Sequence, residues 1–259
     1  MDKEYIQNIP FYNGNIDNAI NKLCEIVLGK KSVPKYCVFV NPHSIQVSKK
    51  DKQFFNAISR SDFILPDGYG IVLASKILNG KIKNRITGFD IFSKLCNSLA
   101  KYNQRVNFFL LGSTVDVLKQ FEKRLNIEYP FINVCGSYSP PFVEQFDTSE
   151  IYNMVDMVNN GNTDVLLVGM TAPKQEKLAY SMIATNNLNT KLILPIGAVF
   201  DFYSGKKKRA GKFFQEHGLE WLIRLLYEPR RMWRRNFISM PIFIFSIITE
   251  KIRRLISYS

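Results

Sequence analysis

The sequence predicts an α/β protein built on a largely parallel sheet. Three observations carry this prediction: short apolar segments recur along the first 205 residues, amphipathic segments lie between them, and the two kinds alternate. Strands covered on both faces are apolar throughout, and strand–helix alternation is typical of parallel sheets. With 46% hydrophobic and 22% charged residues, the composition excludes a disordered, collagen-like or polytopic membrane protein.

The elements follow one another without internal repeats. Strands are predicted at the short apolar runs, residues 36–40, 62–65, 106–111, 132–135, 164–168 and 191–196. Helices are predicted where apolar residues recur with helical spacing, at residues 16–29, 51–59, 69–78, 91–102, 115–126, 150–160 and 174–185. Continuous apolar runs in the first set and a 3.6-residue apolar period in the second separate strands from helices.

The chain changes character after Gly205. Residues 206–259 hold 13 Lys and Arg against 4 Asp and Glu, within a whole chain of 35 against 22 and a formal net charge of +13. Such an excess of positive charge is expected to meet phosphate groups, acidic lipids or nucleic acid. We therefore predict an α/β domain over residues 1–205 and a basic amphipathic appendage over residues 206–259.

The appendage contains an apolar run over residues 237–248 with basic residues on both sides. A membrane-spanning helix needs roughly 20 residues, so this shorter run predicts a helix lying in a membrane interface. The alternative is a C-terminal helix packed on the core or against a second subunit, which leaves a homo-oligomer open. No signal peptide is expected, because the N-terminus lacks a basic segment followed by an apolar core.

Cysteine and histidine usage argues against a metal centre. The four cysteines form no CxxC pair and the chain has only two histidines, so no structural zinc site is expected. Reduced thiols in a bacterial-type cytoplasm are the simplest interpretation.

Polar or glycine-rich turns follow five of the predicted strands. They occupy residues 41–43, 66–70, 112–114, 169–176 and 197–201. Ligands of open α/β sheets bind beyond the carboxyl ends of the strands. We therefore expect these turns to converge on one edge of the sheet.

Asp67 is the candidate general base. It follows an apolar strand and precedes Gly68 and Gly70, whose lack of a Cβ allows close backbone approach. A carboxylate in such a crevice can have a raised pKa and accept a proton. The alternative is a turn or helix-capping aspartate.

Two further turns carry candidate binding groups. Gly112 and Ser113 precede a predicted helix, where backbone N–H groups suit phosphate, although many α/β turns look alike. Gln175 and Glu176 fall in the first turn of another helix. They are predicted to face the crevice, with ordinary helix capping as the alternative.

Arginines supply the candidate phosphate contacts. Arg85 precedes a predicted helix and is either a phosphate clamp or a surface charge. Five arginines and no lysine lie between Arg224 and Arg235, which favours bidentate phosphate recognition over a solvated face. The chain has no DxD, GxGxxG or GxxxxGK[ST] sequence. An aspartate pair for a metal–nucleotide sugar, a dinucleotide oxidoreductase and a P-loop NTPase therefore lose their main support.

A series of short motifs runs in order between residues 37 and 235. In chain order they are Asn41-Pro42, Pro66-Asp67-Gly68-x-Gly70, Arg85-x-Thr87-Gly88-x-Asp90, Phe109-x-Leu111-Gly112-Ser113, Gly169-x-x-x-Pro173-x-Gln175-Glu176, Gly197-Ala198-x-Phe200-Asp201, Arg209-Ala210 and Gly218-x-Glu220-Trp221-x-x-Arg224-Leu225-x-x-Glu228-Pro229-x-Arg231. The ordered set resembles the WecG/TagA/CpsF family of bacterial glycosyltransferases.

The resemblance implies an inverting transfer of a sugar from a UDP-sugar to a polyprenyl-diphosphate-linked saccharide during cell-surface polysaccharide biosynthesis. It implies no metal and no other cofactor. The donor sugar is left open between an N-acetylmannosamine-type sugar, a uronic acid and glucose. The resemblance also implies a Rossmann-like catalytic domain completed by the C-terminal appendage at the membrane. The protein is thus expected in the cytoplasm, peripheral on the inner face of the cell membrane.

The resemblance also assigns roles to residues. Asp67 matches the proposed catalytic base, and Arg85 and Gln175 match residues tied to the active site. Further substrate-binding candidates on the same motifs are Asn41, Gly68, Gly112, Ser113, Gly169, Glu176, Gly197 and Arg209, with Arg224, Arg231 and Arg234 as the appendage arginines that engage diphosphate.

The sequence departs from the family pattern at two positions. Phe39 stands where the family commonly has a threonine, so a pocket hydroxyl is lost, and Gly211 replaces the proline that follows Arg-Ala. Two rival functions are a non-catalytic scaffold of a polysaccharide assembly complex and a nucleic-acid-binding module. The second has no recognisable reading element, so no nucleic-acid partner is expected.

Overall fold

The computed structural model describes residues 3–208, 211, 225–226 and 229–257, without the side chains of residues 231 and 257. All six predicted strands are confirmed, and they form one parallel sheet in the order β4–β3–β8–β7–β5–β6. The strands are β3 (Lys35–Val40), β4 (Phe63–Pro66), β5 (Val106–Gly112), β6 (Ile132–Tyr138), β7 (Val165–Gly169) and β8 (Leu192–Pro195). The predicted α/β class with a parallel sheet is therefore confirmed.

The seven predicted helices of the first 205 residues are also present, with ends shifted by a few residues. Together with shorter helices and a C-terminal pair, the described elements are α1 (Ile16–Leu28), α2 (Pro42–Ser48), α3 (Lys52–Ser59), α4 (Tyr69–Ile77), α5 (Gly88–Leu99), α6 (Val115–Glu128), α7 (Thr148–Asn160), α8 (Lys174–Ala184), α9 (Ala198–Tyr203), α10 (Pro229–Trp233) and α11 (Met240–Ser257). A single 3₁₀ turn follows α5, and a π-helical turn, Arg234–Ser239, joins α10 to α11.

An N-terminal hairpin was not predicted from the sequence. Strands β1 (Lys3–Ile6) and β2 (Ile9–Tyr12) pair antiparallel. The turn between them places Gln7 and Asn8 at φ values of +51° and +62°, the left-handed region that two-residue hairpin turns require. Strands of four residues are too short for a period of two to stand out, and the turn lacks the usual glycine.

The core lies on both faces of the sheet. Successive residues of β5 point to opposite sides, as a pleated strand requires, so Phe108 and Leu110 join one apolar cluster while Phe109 and Leu111 join the other. Helices α1, α5, α6 and α9 cover the first face. The hairpin and helices α2, α3, α4, α7, α8 and α11 contribute to the second.

One face of the C-terminal helix packs on the core. Helix α11 lies against α2 and α4, with Phe243 and Ile247 fully buried. The alternative of a helix packed on the core is therefore correct for this face. The opposite face of α11 is apolar and exposed, and it continues into the π-helical turn and α10. The exposed apolar residues are Trp233, Phe237, Ile238, Ile242, Phe245, Ile248, Ile252, Leu255 and Ile256. Among the described helices, none combines the length and hydropathy needed to cross a membrane.

The N-terminal hairpin holds the same helix by polar contacts. The side-chain amide of Gln7 donates a hydrogen bond to the Glu250 carboxylate at 2.6 Å. The guanidinium of Arg254 donates to the backbone oxygen of Tyr5 at 3.0 Å. Both ends of the described chain are thus joined on one side of the sheet.

Candidate active site

The carboxyl ends of the parallel strands meet at one edge of the sheet, and the predicted turns converge there. The chain leaves β5 toward β6 on one side, whereas it leaves β7 toward β8 on the other. The loops after these neighbouring strands therefore separate, and such a switch point opens a crevice for a ligand. Gly112 and Gly169, which face each other in register across β5 and β7, form its floor.

Asp67 stands at this edge, directly after β4. Its backbone N–H donates to the oxygen of Val40 at 2.9 Å, which fixes it beside the end of β3, and its side chain is half-buried. Gly68 follows at φ +97°, a conformation that side-chain-bearing residues rarely adopt. Gly68 also holds the N-cap position of α4. Asp67 is therefore not the N-cap residue itself but lies in the turn before α4, and its role as a base stays a prediction.

Arg85 lies at the same corner. The N–H of Ile86 donates to the oxygen of Pro66 at 2.8 Å, which joins the Arg85 loop to the end of β4. The guanidinium carbon of Arg85 lies 5.2 Å from the centroid of the Tyr69 ring, within the range of a cation–π contact. Tyr69 was not among the predicted site residues. It is visible in the sequence as an aromatic after Asp67-Gly68, but its partner comes from a loop sixteen positions later.

The C-terminal helix begins against the turn that carries Asp67. His43 Nδ1 lies 2.8 Å from Ser239 Oγ, which joins the first turn of α2 to the π-helical turn. A Cβ on Gly70 would lie 2.4 Å from Pro42 Cγ and 2.8 Å from Met240 Sδ. Because this space is filled on both sides, α2, α4 and α11 support one another beneath the Asp67 corner.

Asn41, predicted to bind substrate, has a structural task in this arrangement. Its side-chain oxygen accepts a hydrogen bond from the N–H of Ser44 at 3.1 Å and so caps α2. Phe39, two residues earlier, is half-buried beside the core cluster under α1 and α5. Because this position carries a phenyl ring, the strand offers no hydroxyl there.

The backbone of the Gly112–Ser113 turn contacts the end of the neighbouring strand β7, which its sequence does not indicate. Gly112 has a φ of +109°, and a Cβ there would lie 2.8 Å from the oxygen of Gly169. The N–H of Ser113 donates to that same oxygen at 2.8 Å, so this amide is already bonded within the protein. Thr114 caps α6 without a side-chain hydrogen bond. The amides of the first turn of α6 are therefore the ones placed to meet an anion.

Gln175 and Glu176 form a buried pair at the start of α8. The side-chain amide of Gln175 donates to Glu176 Oε1 at 2.8 Å and to the backbone oxygen of Pro195 at 3.3 Å. The two residues are only 7% and 3% exposed. Burial raises the pKa of the Glu176 carboxyl to about 7. Glu176 is thus buried against Gln175 and not exposed in the crevice, where substrate contact was predicted.

The other glycines expected to bind substrate lie where the sequence predicts. Gly169 ends β7, and Gly197 follows β8 with its N–H donating to the oxygen of Val168 at 3.2 Å. The structure describes only part of the set of appendage arginines. Arg209 and Arg224 lie outside the described residues, as does the side chain of Arg231, while Arg234 is exposed on the π-helical turn. In the part of the chain that the structure describes, no three His, Cys, Asp or Glu side chains cluster as a metal site would require.

Together, the fold and the site define a class of protein. A parallel sheet with the uncapped start of a helix at its switch point, and with a carboxylate and an arginine at the end of its edge strand β4, is suited to an enzyme acting on an anionic, nucleotide-like ligand. The family model described as "Glycosyl transferase WecG/TagA/CpsF family" matches residues 4–257. The chain therefore belongs to this family and is a glycosyltransferase.

Three relatives of this chain carry the same name. A Bacillus subtilis (strain 168) protein is 32% identical over 252 residues, covering 97% of this chain and 93% of the relative. A Bacillus spizizenii protein is 28% identical over 97% of this chain and 93% of its own. A Staphylococcus aureus (strain MRSA252) protein is 26% identical over 95% and 92%. Each is named an N-acetylglucosaminyldiphosphoundecaprenol N-acetyl-beta-D-mannosaminyltransferase.

Proposed function

We propose that the protein transfers an N-acetylmannosaminyl residue from a UDP-activated donor to N-acetylglucosaminyl-diphosphoundecaprenol, in the synthesis of a cell-surface polysaccharide. The shared name of its relatives and their coverage of nearly the whole chain support the two sugars. The observation that carries the reaction type is the corner at the carboxyl end of β4, where Asp67 follows the strand and Arg85 is tied to the same strand end.

In this proposal Asp67 removes the proton from the acceptor hydroxyl as that oxygen attacks the anomeric carbon of the donor. The new carbon–oxygen bond forms on the face opposite the nucleotide, so the anomeric configuration inverts. The bond from the anomeric carbon to the diphosphate breaks, and its electron pair leaves with UDP. A half-buried carboxylate at the end of a buried strand is suited to this task, because it can meet the acceptor hydroxyl away from bulk water.

Negative charge grows on the departing diphosphate, and cationic and backbone groups would stabilise it. Arg85 and the N–H groups at the start of α6 are placed at the same sheet edge. Arg224, Arg231 and Arg234 join them through the family resemblance, as part of the proposed appendage of residues 206–259. Each such contact supplies ~3 kcal/mol of transition-state stabilisation, by comparison with oxyanion donors. With these groups in place, the proposal needs no metal ion.

The test is UDP release measured with a panel of UDP-sugars and a synthetic polyprenyl-diphosphate N-acetylglucosamine acceptor, with EDTA present. The wild type is compared with Asp67→Asn and with Asp156→Asn, a matched change on the exposed face of α7. We expect acceptor-dependent release with UDP-N-acetylmannosamine, lost in Asp67→Asn and kept in Asp156→Asn. Full turnover by Asp67→Asn would remove Asp67 from its role, and loss of release in EDTA would show that a metal is needed.

We also propose that the exposed apolar face of α10 and α11 lies on an anionic membrane surface. Aromatic residues such as Trp233 and Phe237, whose ring centroids lie 4.4 Å apart, are typical of membrane interfaces. Exposed Arg230 and Arg234 accompany them, and each basic residue near an anionic surface contributes about 1 kcal/mol. A bilayer matches this combination of apolar and positive groups, and the lipid-linked acceptor would lie in it.

Vesicle flotation with and without phosphatidylglycerol tests this placement. Phe245→Lys changes a 73% exposed residue of α11, and Phe142→Lys makes the same change at a fully exposed phenylalanine in the loop after β6. We expect only Phe245→Lys to lose vesicle binding. Equal binding by both variants, or a dimer that forms through this face without lipid, would contradict the proposal. Vesicle binding without any transfer would favour the scaffold alternative.

A further inference from the structure

The buried pair at the start of α8 contains a carboxyl group for which the proposed mechanism has no use. Glu176 is 3% exposed and accepts a hydrogen bond from the side-chain amide of Gln175. Tyr36 donates a hydrogen bond from its hydroxyl to the backbone oxygen of Glu176 at 3.2 Å, which anchors this turn of α8 on β3. An ionisable side chain in such a place needs a polar partner to offset its desolvation.

The orientation of the Gln175 amide is fixed by its two partners. Glu176 Oε1 and the Pro195 oxygen both accept hydrogen bonds, at 2.8 Å and 3.3 Å from Gln175 Nε2. Because a backbone carbonyl can only accept, the NH₂ end of the amide must face it. Gln175 Oε1 therefore points the other way.

That oxygen has no donor among the described residues, although it is buried. A Cβ placed on Gly197 would lie 2.9 Å from it and 2.6 Å from the backbone oxygen of Met170. Gln175 Oε1 and the Met170 oxygen thus pack closely against the backbone of Gly197, where only a residue without a side chain fits. A buried acceptor without a donor is unfavourable, so Gln175 Oε1 is suited to accept a hydrogen bond from a hydroxyl or N–H group of a bound sugar.

We propose that Glu176 is a positioning residue: its carboxyl oxygen holds the Gln175 amide so that Gln175 Oε1, which has no donor within the described residues, is turned to accept a hydrogen bond from the bound sugar. The expected effect of Glu176 on turnover rests on the proposed transferase function. The orientation of the Gln175 side chain does not depend on that function. The carboxyl need not touch the substrate, because the amide transmits its effect.

A double-mutant cycle tests the transmission. Glu176→Met keeps the length of the side chain and removes the acceptor, and Glu176→Gln keeps an acceptor oxygen. We expect Glu176→Met to lower kcat/KM about tenfold and Glu176→Gln to lower it less than threefold. In a Gln175→Ala background Glu176→Met should add less than a twofold loss, since residues that act through one another are not additive. An additive loss, or full activity of Glu176→Met, would overturn the proposal.

A second readout does not depend on turnover. In ¹⁵N-glutamine-labelled protein, the side-chain NH₂ resonance that disappears in Gln175→Ala belongs to this residue. We expect its protons to exchange slowly with water in the wild type and in Glu176→Gln, and at least tenfold faster in Glu176→Met. Unchanged exchange in Glu176→Met would refute the positioning role. Slow wild-type exchange without any transferase activity would refute only the proposed function.

Discussion

Replacing Glu176 by Gln should change how the stability of the protein depends on pH. Burial raises the pKa of this carboxyl from its ordinary value of 4.5 to about 7 in the folded state. The folded protein therefore holds this proton more tightly than the unfolded chain does. The stabilisation from the bound proton is fully present below about pH 4.5 and is lost as the pH rises through about 7.

The magnitude follows from the difference between the two pKa values. Each unit corresponds to about 1.4 kcal/mol, so the wild type should lose about 3 kcal/mol from this group between pH 4.5 and pH 8. Glutamine at the same position does not titrate. The free energy of unfolding of Glu176→Gln, relative to the wild type, should therefore rise by about 3 kcal/mol over this range.

Urea unfolding at intervals between pH 5 and pH 8.5 measures this difference, because other titrating groups cancel between the two proteins. Asp156→Asn, which removes an exposed carboxyl from α7, controls for the change in net charge. Burial, and next the charge of Glu176, raise the pKa of the neighbouring Tyr36 well above this range, so Tyr36 does not titrate within it. Parallel stability curves for the wild type and Glu176→Gln would refute the reasoning.

Three further substitutions have defined outcomes. Phe243→Ala should lower the free energy of unfolding by about 3–5 kcal/mol in urea, because this side chain of α11 is fully buried. Gly70→Ala should lower transferase activity at least tenfold, since a Cβ there meets α2 and α11, whereas Gly211→Ala, which meets no atom within 4 Å, should leave activity unchanged. Tyr69→Leu should raise the KM for the donor by removing the ring under Arg85, and Tyr69→Phe should not. A wild-type KM in Tyr69→Leu would show that the Tyr69 ring has no part in donor binding.

The sheet could be predicted from the sequence because its strands are buried on both faces. The run of β7 is apolar at every position, and that of β5 at every position except Asn107, a pattern that few other structures produce. Helices α2 and α9 have seven and six residues, too few for a helical period to stand out. The C-terminal helix was predicted, but which of its faces packs inward depends on the surface of α2 and α4, which no local pattern contains.

The sequence predicts where the site lies better than it predicts the contacts between its side chains. The edge where Asp67 and Gln175 lie follows from the rule that parallel strands end together. The stacking of Arg85 on Tyr69 and the burial of Glu176 behind Gln175 depend on side-chain geometry across separate loops. The engagement of the Ser113 amide by Gly169 likewise depends on the neighbouring strand.

The contacts between the hairpin and α11 have a consequence for biosynthesis. Gln7 and Glu250 are separated by 243 positions in the chain, and α11 follows every other described element in the order of translation. Until this helix is made, the apolar surface of α2 and α4 that receives Phe243 and Ile247 stays uncovered, and such surfaces favour aggregation. A chain that stops before α11 is therefore expected to aggregate on expression, as light scattering would show, and to depend on chaperones more than the full chain does.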